Sequence, residues 1–125
     1  MKIKIFLTLI LLLNSSYSQE GVISIEGSHT LTQESDMSLY QTIDKCLNLA
    51  LVNGIYEYLL TSNDYTEEEK QNIMQVLTGS IQMCVKDPLI INQTLNGNIM
   101  TIKAQGLINP FIINQIIKSK WWLIL

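Results

Sequence analysis

The chain holds one histidine, and it sits in a short run of hydroxyl residues, Ser28-His29-Thr30. A serine beside a histidine supports nucleophilic catalysis only when the imidazole reaches the hydroxyl, a carboxylate orients the ring and an oxyanion site stands opposite. The local sequence works against the first requirement. Ile23 and Ile25 alternate with Ser24 and Glu26, the period of an extended strand, and neighbours in a strand point to opposite faces. Ser28 and His29 therefore diverge, and His29 is expected to face solvent. Glu67-Glu68-Glu69 is the next candidate. Adjacent carboxylates fan around a helix, whereas paired acid–base work needs two that face each other across a cleft. Preceded by Thr66, they read instead as a capping box at a helix start, with acidic residues where the helix dipole favours them.

Cys46 and Cys84 are too far apart, with one His in the chain, for any familiar zinc pattern. In an oxidising compartment an even count allows a disulfide, whose long loop would stabilise by roughly 4 kcal/mol on the entropic account. The other reading is two small apolar side chains buried on helix faces. Asn92-Gln93-Thr94 fits the N-glycosylation pattern but falls inside a predicted strand. No glycine-rich phosphate loop, metal-ligand cluster or cofactor motif stands in the sequence. No catalytic, cofactor-binding or metal residue is therefore assigned, and no cofactor is expected.

The first 18 residues explain the compartment. Lys2 and Lys4 precede an apolar run from Ile5 to Leu13, and Ser16 and Ser18 occupy the −3 and −1 positions of a cut before Gln19. This is the layout of a secretory signal peptide over 1–18. The run is about nine residues, against the ~20 a spanning helix needs, so no stable membrane span is expected once the signal is removed. Loss of those two lysines takes the formal net charge from −3 to −5. All eight basic residues are lysine. Bidentate phosphate and guanine contacts favour arginine, so nucleic acid is not an expected partner.

Residues 19–108 read as a single α+β domain, enough for one core of modest size. A first strand is expected over roughly 21–32, with Gly27 marking a bulge or bend. Ser35-Asp36 sets up a helix start. Leu39, Ile43, Cys46, Leu47, Ala50, Leu51, Gly54, Ile55, Tyr58 and Leu59 trace a stripe of helical period, and Gly54 on that stripe points to a close-packed neighbour. A second helix follows Thr66, with Ile73, Val76, Leu77, Ser80, Ile81 and Cys84 facing in. Gly79 weakens its last third, and Asp87-Pro88 ends it. Asn96-Gly97 then joins strands over Leu89–Leu95 and Asn98–Ile108 as a hairpin. The fold class is α+β, two helices packed on a small three-stranded antiparallel sheet in the order β-α-α-β-β. Residues 109–125 form a tail read three ways: a short helix after Asn109-Pro110, a strand extension, or a truncated end. Trp121 and Trp122 in that tail dock on the domain or form an interfacial anchor.

Ile23-Ser24-Ile25-Glu26-Gly27, the helix from Leu39 to Leu60 and the hairpin from Ile90 to Ala104 resemble, in that order, the N-terminal domain of the flagellar assembly protein T family and related small bacterial envelope lipoproteins. The likeness spans about 85 residues and departs in two respects: Leu, Asn and Tyr stand in the first helix where the family carries Ala, and arginine is absent. The resemblance implies a periplasmic or secreted, non-enzymatic module that acts by protein–protein interaction in the assembly of a cell-surface structure, with a protein partner in the envelope. It supplies no catalytic residues. The alternatives are a small secreted enzyme or inhibitor without a recognisable site, or a truncated gene product.

Overall fold

A computed structural model of the chain describes residues 21–124, with side chains to residue 119. The signal peptide read over 1–18 and the side chains of Trp121 and Trp122 lie outside the described residues. The elements are β1 (Ile23–Thr32), α1 (Leu39–Ser62), α2 (Glu67–Cys84), β2 (Lys86–Asn96), β3 (Ile99–Ile108) and α3 (Pro110–Ile124). The strands form one antiparallel sheet in the order β1-β3-β2. This is the expected α+β layout. The tail from Pro110 to Ile124 is a helix and not a strand extension, and Ile113 and Ile117 on α3 are buried in the common core.

Each helix starts where a side chain can satisfy the orphan N–H groups. At α2, the Thr66 hydroxyl accepts from the Glu69 N–H at 3.2 Å, and the Glu69 carboxylate accepts from the Thr66 N–H at 3.2 Å. At α1 the cap is Ser38, not Ser35-Asp36: its hydroxyl accepts from the Gln41 N–H at 3.1 Å while the Gln41 side chain accepts from the Ser38 N–H at 2.9 Å. Ser35-Asp36 lies in a preceding turn. Both pairs compete as signals, but only Ser38 has a Gln three residues on to complete the reciprocal box.

α1 is the central element. Cys46, Ala50, Leu51, Val52, Ile55 and Leu59 are all buried, and a helix buried on most of its circumference is sandwiched rather than laid on a surface. One side meets β1 and β3, another meets α2, and α3 packs against α2. The fit against β1 is backbone to backbone. A Cβ on Gly27 would fall on the Ala50 carbonyl oxygen and 2.5 Å from the Gly54 nitrogen; a Cβ on Gly54 would lie 2.8 Å from the Glu26 carbonyl oxygen. Gly27 therefore makes neither the bulge nor the bend expected of it: β1 holds an unbroken register with β3 from Ile23↔Ile108 to Thr32↔Ile99. Its missing side chain is what lets the helix come close.

Three other expectations change. α2 runs without interruption through Gly79 to Cys84, since its inward stripe outweighs the roughly 1 kcal/mol cost of one glycine. Asp87-Pro88 does not end that helix. Val85 already caps it in extended conformation, and Asp87-Pro88 lies within β2 at a register shift between Lys86 and Leu89. Proline, which has no N–H to donate, is tolerated there because β2 is an edge strand with no partner beyond it. The hairpin turn is Gly97-Asn98, closed by the Asn96↔Ile99 pair, one residue later than expected. Gly97 has φ 65°, the first-position geometry of a type II′ turn, which demands glycine.

Two stability measurements follow from this packing. Gly27→Ala and Gly54→Ala each put a methyl group against backbone that cannot yield, and each is expected to lose about 3 kcal/mol or more in urea unfolding. Gly79→Ala meets nothing within 4 Å and should instead gain about 0.5–1 kcal/mol. Leu51 is 3% exposed, so Leu51→Asp buries a carboxylate without a partner; loss of the helical circular-dichroism signal and of a cooperative melt is expected.

Candidate functional site

The sequence candidates for chemistry do not converge. Ser28 is exposed on the open face of the sheet, as strand alternation requires. His29 is not solvent-facing: it lies half-buried on the helix-covered face, with Nδ1 3.4 Å from Asn53 Nδ2. The same Asn53 amide donates to the Ser28 carbonyl at 2.9 Å, so it clamps α1 to β1. The reversal has a simple cause. His29 pairs with the buried Ile102 of β3, and the alternation that puts Ile23 and Ile25 inside carries His29 with them. Glu67 forms an exposed ion pair with Lys70 one turn on, at 3.1 Å, a surface contact of small energetic weight.

Cys46 and Cys84 are both buried, and no disulfide joins them in the structure. The Cys46 thiol donates to the His29 carbonyl at 3.2 Å and lies 3.8 Å from the Met100 carbonyl. Cys84 adjoins Val85, whose side chain presses on Gly106. From Met100 to Gly106 a strand rises about 20 Å, whereas a bridge needs Cα atoms within roughly 7 Å. The two thiols thus serve opposite ends of the core. Burial pushes the Cys46 thiol above its ordinary 9.0, and a backbone contact from Ile102 only partly offsets this. Among the described residues, no group of three or more His, Cys, Asp or Glu side chains is placed to hold a metal ion, and no helix is long and apolar enough to cross a membrane.

The surface that stands out is the β2 edge. β2 has a single strand neighbour, β3, and the helices lie over β1 and β3 rather than over β2. Ten of the eleven residues of β2 are exposed, among them Leu89 at 60%, Ile91 at 43% and Leu95 at 47%. Natural sheets guard an edge with charge, proline or bulges. Here the guards stop at the N-terminal half: Lys86, Asp87, Pro88 and a second register shift between Ile90 and Asn92. From Asn92 to Asn96 the strand runs regularly against β3 and carries no charged side chain. Asn92-Gln93-Thr94, the glycosylation pattern, lies within this regular stretch. The sequence marked the hairpin but not the exposure of its apolar residues.

Set against protein-family models, curated proteins and solved structures, the chain matches none.

The thiol environment makes a prediction in pH. Cys46 is held in its protonated form by the fold, so its contribution to stability is complete below the ordinary thiol value and is lost as pH rises through the higher folded value. Tyr65, raised above 10.0 by burial and then by the Glu69 charge, acts in the same direction. Melting temperature should be level between about pH 6 and 8 and fall above about pH 9, and Cys46→Ala should shrink that alkaline fall. In thiol labelling without reductant, the folded chain should react slowly and the chain in denaturant should yield both thiols.

Proposed function

We propose that this chain is an exported module of the bacterial envelope, located in the periplasm or secreted, that acts by protein–protein contact without catalysing a reaction. Its partner supplies an extended segment that adds to the sheet along Asn92–Asn96, and the assembly of a cell-surface structure is the setting that the likeness to the flagellar assembly protein T family implies. The observation that carries the reading is the regular, charge-free second half of an edge strand no helix covers. An unpaired edge offers a row of backbone donors and acceptors, and side chains alternating to the two faces supply selectivity. The partner segment is uncharged and carries apolar residues at alternate positions. A charged strand would find no opposite charge between Pro88 and Ile99 and would leave Leu95 without an apolar neighbour. The export part of the proposal rests on Lys2, Lys4, the apolar run and Ser16-Tyr17-Ser18.

The test pairs binding with stability. A photo-crosslinking residue placed at Leu95 in the full chain, expressed in its own envelope, should capture one partner, and mass spectrometry should map the adduct to an extended segment. Thr94→Lys with Leu95→Lys should abolish capture at a site elsewhere on the interface while changing unfolding free energy by less than about 1 kcal/mol, since both positions are exposed. Undiminished capture in the double lysine variant would reject the edge. Mature protein whose N-terminus is Met1 would reject export.

A further inference from the structure

A second surface lies at the far end of β2, where the ends of five elements meet. The last turn of α2, the first residue of β2, the ends of β1 and β3 and the first turn of α3 border a cavity of about 270 Å³ that is open to solvent on one side. Its walls are mostly aliphatic: Val22, Met83, Val85, Leu107 and Ile112. Met83 is 62% exposed and Ile112 47% exposed, an unusual position for large apolar side chains that border a concavity. The polar side chains that line the cavity are Lys86 and Asn109, with the weakly polar Cys84. Among the described residues Lys86 forms no ion pair. Asn109 caps α3, its side-chain oxygen accepting from the Phe111 N–H at 3.0 Å, while the Ile113 N–H donates to the Asn109 carbonyl at 3.0 Å. The Ile112 N–H, between those two, pairs with no acceptor among the described residues. Asp87, the nearest acidic residue in sequence, is not among the lining residues.

We propose that this cavity binds a medium-chain aliphatic carboxylate. The volume holds about nine groups of water size at ~30 Å³ each, which is a chain of about eight carbons. The apolar walls take the chain. The carboxylate stays at the mouth, where the Lys86 ammonium, the unpaired Ile112 N–H and the positive end of the α3 dipole all favour an anion. A cationic head would meet Lys86 as a like charge, and a bulky ring system would exceed the space. The cavity is separate from the Asn92–Asn96 edge, and its occupancy does not depend on the reading given above.

Octanoate is the probe, added to the full chain below its micelle concentration and followed by methyl chemical shifts. Saturable shifts confined to Val22, Leu107 and Ile112 are expected. Octanol, with the same chain and no charge, should bind about tenfold more weakly. Lys86→Met should remove that tenfold preference while leaving octanol binding intact, and Ile112→Trp should fill the space and weaken both ligands. Since Lys86 and Ile112 are exposed, both variants should melt within a few degrees of the parent. Absence of shifts, shifts centred elsewhere, or an octanoate-to-octanol ratio unchanged in Lys86→Met would each overturn the proposal.

Discussion

The contact between the Gly27 and Gly54 backbones fixes most of what this molecule presents to its surroundings. Three positions of α1 follow β1 in reverse order: Cys46 reaches the His29 carbonyl, Ala50 lies against Gly27 and Gly54 meets Glu26, while the longer Asn53 side chain donates to the Ser28 carbonyl beside them. From residue 46 to 54 a helix rises about 12 Å, and from residue 29 to 26 a strand rises about 10 Å. The helix and the strand therefore run side by side, nearly antiparallel, over the length of the contact. Side chains at Gly27 or Gly54 would lift α1 off the sheet, and the thiol and amide bonds on either side would break with it. The closeness of the two backbones is thus a condition for the polar contacts as well as for the apolar ones.

A helix seated so firmly on β1 cannot also cover β2. The sheet is three strands wide, with β1 and β2 at its two edges, and the buried side chains of the sheet come from β1 and β3: Ile25, Met100, Ile102, Ala104 and Ile108. β2 contributes none. The remaining inward surface of α1 is taken by α2, whose Ile73, Val76, Leu77 and Ile81 are buried, and α3 packs against α2 and adds Ile113 and Ile117 to the same core. The off-centre helix is the reason that apolar residues on β2 are left in water. A chain of this size has limited apolar surface to distribute, and here it is spent around α1, which leaves one strand edge and one end of the molecule open.

What the sequence made legible follows the same division. Period-two alternation in β1 and β3, the inward stripe of α2 and the capping box at Thr66 are local signals, and each was sufficient to place its element. Gly54 was read correctly as a site of close packing because it interrupts an apolar stripe that gains nothing from flexibility. Gly27 was misread, since a glycine in a strand looks the same whether the backbone bends there or a helix approaches it. His29 was misread for a related reason: a polar residue was assigned to the wet face, although strand parity with Ile23 and Ile25 already put it inside. Leu89, Ile91 and Leu95 could not be recognised as exposed, because their alternation is that of any strand and only the lateral position of α1 leaves them bare. The cavity at the other end was beyond reach altogether. It is assembled from residues 22, 83–86, 107–109 and 112, and no spacing rule links them.

One irregularity separates the two open surfaces. Asp87 has φ 52°, in the left-handed region that aspartate tolerates better than most side chains, and it precedes Pro88, where the backbone is ordinarily pushed to extended conformation. The strain is maintained by its flanks. Val85 is fixed against Gly106 on one side, and the pairing of Leu89 with Gln105 is fixed on the other, so the extra residue between the Lys86↔Leu107 and Leu89↔Gln105 pairs has to be absorbed by a local turn of the backbone. That turn has two effects. It breaks the regular run of backbone donors at the N-terminal end of the edge, and the second register shift between Ile90 and Asn92 leaves Asn92–Asn96 as its regular stretch. It also leaves Lys86 paired with Leu107 beside the cavity. A straight β2 would merge a sticky edge with an apolar pocket into one continuous surface, the arrangement most prone to aggregation. The kink at Asp87-Pro88 keeps them apart.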